Sequence, residues 1–155
     1  MSSPSDFHKN AMAEVKKLIC GLKLAGVTQD EIVVRRQWAT RQGDGTWVPH
    51  RGITIHPEQE KQDPGTNRSE DIGYGIGVTM FIPPSHAASS LGNVTEWRRL
   101  IRRRFINQRL QITAPVNGHI CINTVEHGDF AKDFDYHTYE LSTLLIRVWT
   151  RETRS

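Results

Sequence analysis

The sequence predicts an α+β fold: a mainly antiparallel sheet of about five strands with two helices packed on one face, in the order α-β-β-β-α-β-β. Three observations lead there. Residues 72–82 alternate apolar and small residues in the period of a strand. Residues 93–110, NVTEWRRLIRRRFINQRL, repeat apolar residues in the period of a helix. The segments on either side of that helix are rich in β-branched residues, so the helix has a sheet to lie on.

Pro4 and Ser5 open the first helix, with Ser5 as N-cap and Asp6 in the first turn. Phe7, Ala11, Val15, Leu18 and Leu22 form its apolar stripe, and Gly26 is the expected stop. Ile32–Val34 begins a strand that runs on through Trp38. A turn at 42–46 should fold it into a hairpin with a second strand over 47–56, placed at an edge by Pro49. Residues 57–71, PEQEKQDPGTNRSED, contain no apolar side chain, so the stretch reads as a polar loop or arm. In the next strand Ile72, Tyr74, Ile76, Val78, Met80 and Ile82 share one face. Gly73, Gly75 and Gly77 open the other, which invites close approach by a backbone or a helix. GYGIG lacks the GxGxxG spacing of a dinucleotide loop. Pro83 and Pro84 end that strand.

In the Arg-rich helix, Val94, Trp97, Leu100, Ile101 and Phe105 fall in one arc, with Asn93 as N-cap and Glu96 as capping-box partner. Arg98, Arg99, Arg102, Arg103 and Arg109 take the opposite side. Arg104 points back into the apolar arc, so its charge must reach solvent or a carboxylate. A fourth strand is expected over 119–126 and a last one over 139–150. The last has Leu144, Ile146 and Val148 on one face and Leu141, Leu145 and Trp149 on the other, the signature of a central strand or of one that meets a partner.

With 155 residues the chain is one domain's worth, 1–155, with an arm at 57–71. Net charge is only +3, yet six arginines crowd residues 98–109. Cys20 and Cys121 suit small buried hydrophobes in a reducing compartment, with a disulfide left open. No run of 18 apolar residues occurs and the opening residues form no signal region, so a cytoplasmic, non-membrane protein is expected. The sequons at Asn67 and Asn93 then carry no weight.

The most enzyme-like patch is 126–137, EHGDFAKDFDYH, where Asp129, Asp133 and Asp135 could hold a divalent cation for a nuclease. Asp is equally a standard turn former. His119 and Cys121 share a strand face without a second ligand pair, and no HExxH or GxSxG element occurs. No catalytic, metal or cofactor residues are therefore assigned. Outward arginines with one acid, Glu96, among them repel one another, so acidic groups should sit opposite. Nucleic-acid phosphates, another subunit's acids, and acids of this chain within 126–135 all qualify, because Arg pairs with each.

Three stretches carry a resemblance: the polar loop running into DIGYGIGVTMFI (71–82), the helix EWRRLIRRRF (96–105), and the ending VEHGDF…YELSTLLIRVWTRE (125–152). In this order, over about residues 32–152, the chain resembles head-to-tail interface proteins of tailed bacteriophages, in particular tail terminator (tail completion) and related neck proteins. The resemblance implies a structural virion protein without enzymatic activity or cofactor. It implies a homo-oligomeric ring, commonly a hexamer, that caps or joins the tail tube. The implied partners are other copies, the tail tube, adaptor, neck or portal-associated proteins, and DNA passing through the ring. The location implied is the virion tail or neck, with assembly in the host cytoplasm. Interface candidates are Arg98, Arg99, Arg102, Arg103 and Arg109 on the helix, with Glu60, Lys61, Asp63, Asn67 and Arg68 on the arm. The alternative reading is a DNA-contacting module using the Arg-rich helix, 96–109.

Overall fold

A computed structural model describes residues 4–41, 43–45, 47–63, 65–66, 68–83, 93–115, 118–128 and 140–153. The fold is α+β, with two helices and a mostly antiparallel sheet. Helix α1 (Pro4–Gly21) puts Phe7, Ala11, Val15 and Ile19 fully inside. The buried ridge follows the i, i+4 row, so Ile19 replaces the expected Leu18, which with Leu22 is only partly buried. The helix ends at Gly21, five residues before Gly26. Gly26, at φ +82°, instead seats the second helix: a Cβ there would overlap the Asn93 side chain, and the Trp97 Nε1 donates to the Ala25 carbonyl at 2.7 Å.

Strand β1 (Ile32–Val34) is followed by a small ribbon, β2 (Ala39–Arg41) with β3 (Trp47–Pro49), and then by β4 (Gly52–Asp63). β1 and β4 pair in parallel, Ile32 beside Ile53, so the expected hairpin does not form. The ribbon takes up the reversal, and the chain returns at Gly52, whose φ of +104° lets it pass against the Glu31 backbone. Pro49 ends β3, off the main sheet.

β5 (Ser69–Ile82) and β8 (Glu140–Thr153) form the longest pair, in register from Ser69 with Thr153 to Ile82 with Glu140. The polar stretch 57–71 is therefore strand at both ends. β4 runs to Asp63 and β5 begins at Ser69, leaving only 64–68 as the turn. No apolar side chain is needed, because backbone pairing with β5 and β8 extends the sheet into it. The expected strand over 119–126 breaks into β6 (Gly118–Ile120) and β7 (Thr124–His127), both on β8. Between them buried Asn123 is drawn to the end of helix α2 (Asn93–Phe105). Its amide donates to the Phe105 carbonyl at 3.3 Å, and its backbone exchanges bonds with Asn107 and Gln108. The sheet order is β1-β4-β5-β8-β6 with β7 also on β8, which makes β8 internal as its two-faced apolarity suggests.

One core joins the α1 ridge, the α2 residues Val94, Trp97, Ile101 and Phe105, and Tyr74, Ile76, Val78 and Met80 of β5. Ile146 and Val148 of β8 complete it. Each such side chain contributes about 1.5–3 kcal/mol when fully buried. Cys20 and Cys121 are half-buried free thiols.

Candidate functional site

The arginines of α2 divide into two groups. Arg98 is anchored at home: its Nη1 donates to Ser142 Oγ at 2.8 Å and to the Thr143 carbonyl at 2.7 Å, and its Nη2 lies 3.3 Å from His127 Nδ1. Arg99 grips Glu96 with two bonds of 3.1 and 2.7 Å. This mutual hydrogen bond holds the Glu96 carboxyl below and the Arg99 guanidinium above their ordinary values. Glu96 is thus an ion-pair partner, where the sequence suggests a capping box. Arg102 and Arg103 are exposed and form no ion pair among the described residues; Arg103 acts on Glu96 only at longer range. With Thr95, Arg98, Arg99 and Ile106 they line a shallow depression of about 480 Å³. Arg109 lies past the helix end, exposed, beside His119 and Ile120. Half-buried Arg104 keeps its head toward solvent. The expected five-arginine face reduces to Arg102, Arg103 and Arg109.

The arm residues are spread around the far end of the sheet. Glu60, Lys61, Asp63 and Arg68 are all exposed. Lys61 pairs in register with Gly73 and Asp63 with Asp71, so both stand on the face away from the helices. The Arg68 backbone N–H donates to Thr66 Oγ1 at 3.2 Å within the turn. Asn67, Asp129, Asp133 and Asp135 lie outside the described residues, as do Pro84 and most of the expected turn at 42–46.

Register also creates an acidic cluster that sequence reading does not reveal. Glu70 of β5 stands directly opposite Glu152 of β8, an arrangement that is repulsive by itself. Gln62 donates to Glu70, while the Tyr74 hydroxyl, at 3.0 Å, and Thr150 Oγ1, at 2.6 Å, donate to Glu152. Burial first, then the negative charges of Glu152, Glu60 and Glu70, push the Tyr74 hydroxyl well above its ordinary value. Three carboxylates therefore share one electrostatic neighbourhood on the helix-bearing side. The only sequence clue is that alternation runs two residues past Tyr74 and Val148, which pair.

On the other face, His56 presents Nδ1 to Glu58 Oε1 at 3.0 Å and Nε2 to Thr79 Oγ1 at 3.1 Å. A neutral imidazole donating to the carboxylate takes the Thr79 hydroxyl as its second donor. This line of carboxylate, imidazole and hydroxyl has the order of a nucleophilic relay, but Thr79 is 1% exposed and closed to a substrate. Its service here is to satisfy a buried ring. The spacing of His56 and Glu58, two apart on a strand, is the one signal that could have found it. Among the described residues no three His, Cys, Asp or Glu side chains are arranged to hold a metal ion, and no helix is long and apolar enough to cross a membrane.

No protein-family model and no curated protein matches the chain. The site has to be read from its own chemistry.

Proposed function

We propose that the chain is a structural virion protein that forms a homo-oligomeric ring at the head-to-tail junction of a tailed bacteriophage, capping or joining the tail tube. In this reading both helices pack on one face, the chain performs no catalysis, and its surfaces meet other copies, neighbouring tail, neck or portal-associated proteins, and DNA in the channel. The observation that carries it is the exposed pair Arg102 and Arg103, left without an ion pair among the described residues while Arg98 and Arg99 are satisfied within the chain. Concentrated positive charge without a local counter-charge is a surface built for a partner. The resemblance of 71–82, 96–105 and 125–152 to tail terminator and neck proteins names the kind of assembly. Native mass spectrometry of the purified chain should show one discrete closed oligomer, with six the expected number. A strict monomer at high concentration, alone and with tail-tube protein, sinks this reading.

The exposure of Arg102, Arg103 and Arg109 also favours a second reading, a DNA-contacting surface. Binding would then fall with salt at a slope near −0.9 per phosphate contacted, and Arg-to-Glu changes at these positions would abolish it. DNA affinity indifferent to those changes eliminates this alternative.

A further inference from the structure

The free face of α2 has a chemical complement on the same polypeptide. Resting on the ring reading above, we infer that Arg102 and Arg103 of one copy dock on the acidic sheet end formed by Glu60, Glu70 and Glu152 of the next copy, in a head-to-tail contact.

The two patches of one chain are too far apart to meet. Arg98 pins α2 to Ser142 and Thr143 near the start of β8, whereas Glu152 stands near its end. Ten strand residues at about 3.3 Å each separate Ser142 from Glu152 by roughly 30 Å. Arg102 lies one helical turn beyond Arg98, a step of only about 5 Å. Each patch therefore needs a charge from outside. The acidic end carries a built-in repulsion, since Glu70 and Glu152 are register partners and the Tyr74 hydroxyl serves only Glu152. Glu60 is exposed beside them. Two guanidiniums offer the planar donors that such carboxylates accept in pairs.

A second copy fits better than a nucleic acid. DNA would cover the arginines and leave the carboxylates uncompensated, and a net charge of +3 gives it little long-range attraction. One contact between copies neutralises both patches. Because every copy carries one of each at separate places, the contact is heterologous, and repetition closes a ring when the rotation allows.

The test uses two charge reversals in the full chain, Arg102→Glu with Arg103→Glu, and Glu60→Lys with Glu70→Lys. Native mass spectrometry and light scattering report assembly, while circular dichroism and thermal melting confirm that both variants fold. Each variant alone should lose self-association by about tenfold or more, since it presents like charges across the contact. An equimolar mixture should recover closed assemblies in which the two variants alternate, and therefore only even-numbered ones. The milder pair Arg102→Gln with Arg103→Gln should fall between wild type and reversal. Rings of wild-type mass in both variants overturn this contact while leaving the ring reading standing. So does a mixture that fails to reassemble two folded, monomeric variants. Loss of DNA retention with rings unchanged assigns the arginines to nucleic acid and overturns it as well. A wild-type chain that stays monomeric removes the ring reading and this contact together.

Discussion

The two faces of β5 are both closed, and they are closed by opposite means. Toward the helices the strand supplies its own cover: Tyr74, Ile76, Val78 and Met80 are at most 1% exposed. On the other side Gly73, Gly75 and Gly77 supply nothing, and neighbours lie down on them. The Trp149 ring rests over Gly73, and the His56 imidazole occupies the space a Cβ would take at Gly77. At Gly75 the close neighbour is β4 backbone, which bulges between Glu58 and Lys61. Arg147, the β8 register partner of Gly75, spans β5 to donate to the Gln59 carbonyl at 3.0 Å and also pairs with Glu126 at 2.9 Å. The close approach that three glycines invite is thus made by two rings and a bulged strand, with no helix on this side among the described residues. The difference teaches that a strand's glycine face can be as occupied as its apolar face, with the occupants recruited from flanking strands.

This comparison can be broken from either side. The largest effect is expected at Ile76→Ala, which empties fully buried core volume and should cost about 2–5 kcal/mol in urea unfolding. Gly77→Ala should cost about 1–3 kcal/mol by the reverse mechanism, overpacking against an imidazole already held by Glu58 and Thr79. The two mechanisms separate in a double-mutant cycle. With His56→Ala in place the Gly77→Ala cost should shrink by about 1 kcal/mol or more, whereas the Ile76→Ala cost should not change. Equal Gly77→Ala costs in both backgrounds would mean that the ring does not fill the glycine's place.

What sequence reading reached, and where it stopped, follows the same division. The inner face of β5 and the arc of α2 were legible because each residue there reports its own burial, with periods of 2 and 3.6. The polar strand ends at 57–63 and 69–71 were not, because their pairing comes from backbone register and from charges far along the chain, as between Asp71 and Arg151. The parallel pairing of β1 with β4 was hidden because a local turn signal belongs equally to a small side ribbon. At the candidate site, helical period correctly turned Arg102 and Arg103 outward. It misassigned Arg98, whose partners Ser142 and Thr143 are brought alongside only by the fold. The acidic end was out of reach for the same reason: Glu70 and Glu152 are neighbours in register alone.

The smallest expected effect lies at the outer end of the glycine face, and it is a matter of pH. There Arg151 donates two bonds to Asp71, of 2.8 and 3.2 Å, and this hydrogen bonding holds the Asp71 carboxyl below its ordinary value of 3.8. A carboxylate depressed in the folded state binds a proton less readily there than in the unfolded chain. Its stabilisation is therefore complete above about 3.8 and is lost as pH falls through the lower, folded-state value. Asp71→Asn should accordingly lower the urea midpoint slightly at pH 7 and in low salt. The gap should narrow in 1 M salt, because the pair is solvent-facing, with Arg151 about half exposed. It should close when both proteins are compared in acid below the folded-state value. A gap of the same size at neutral and acid pH would show that the Asn side chain disturbs the β5–β8 register itself, and that the ion pair contributes nothing to holding this end of the sheet.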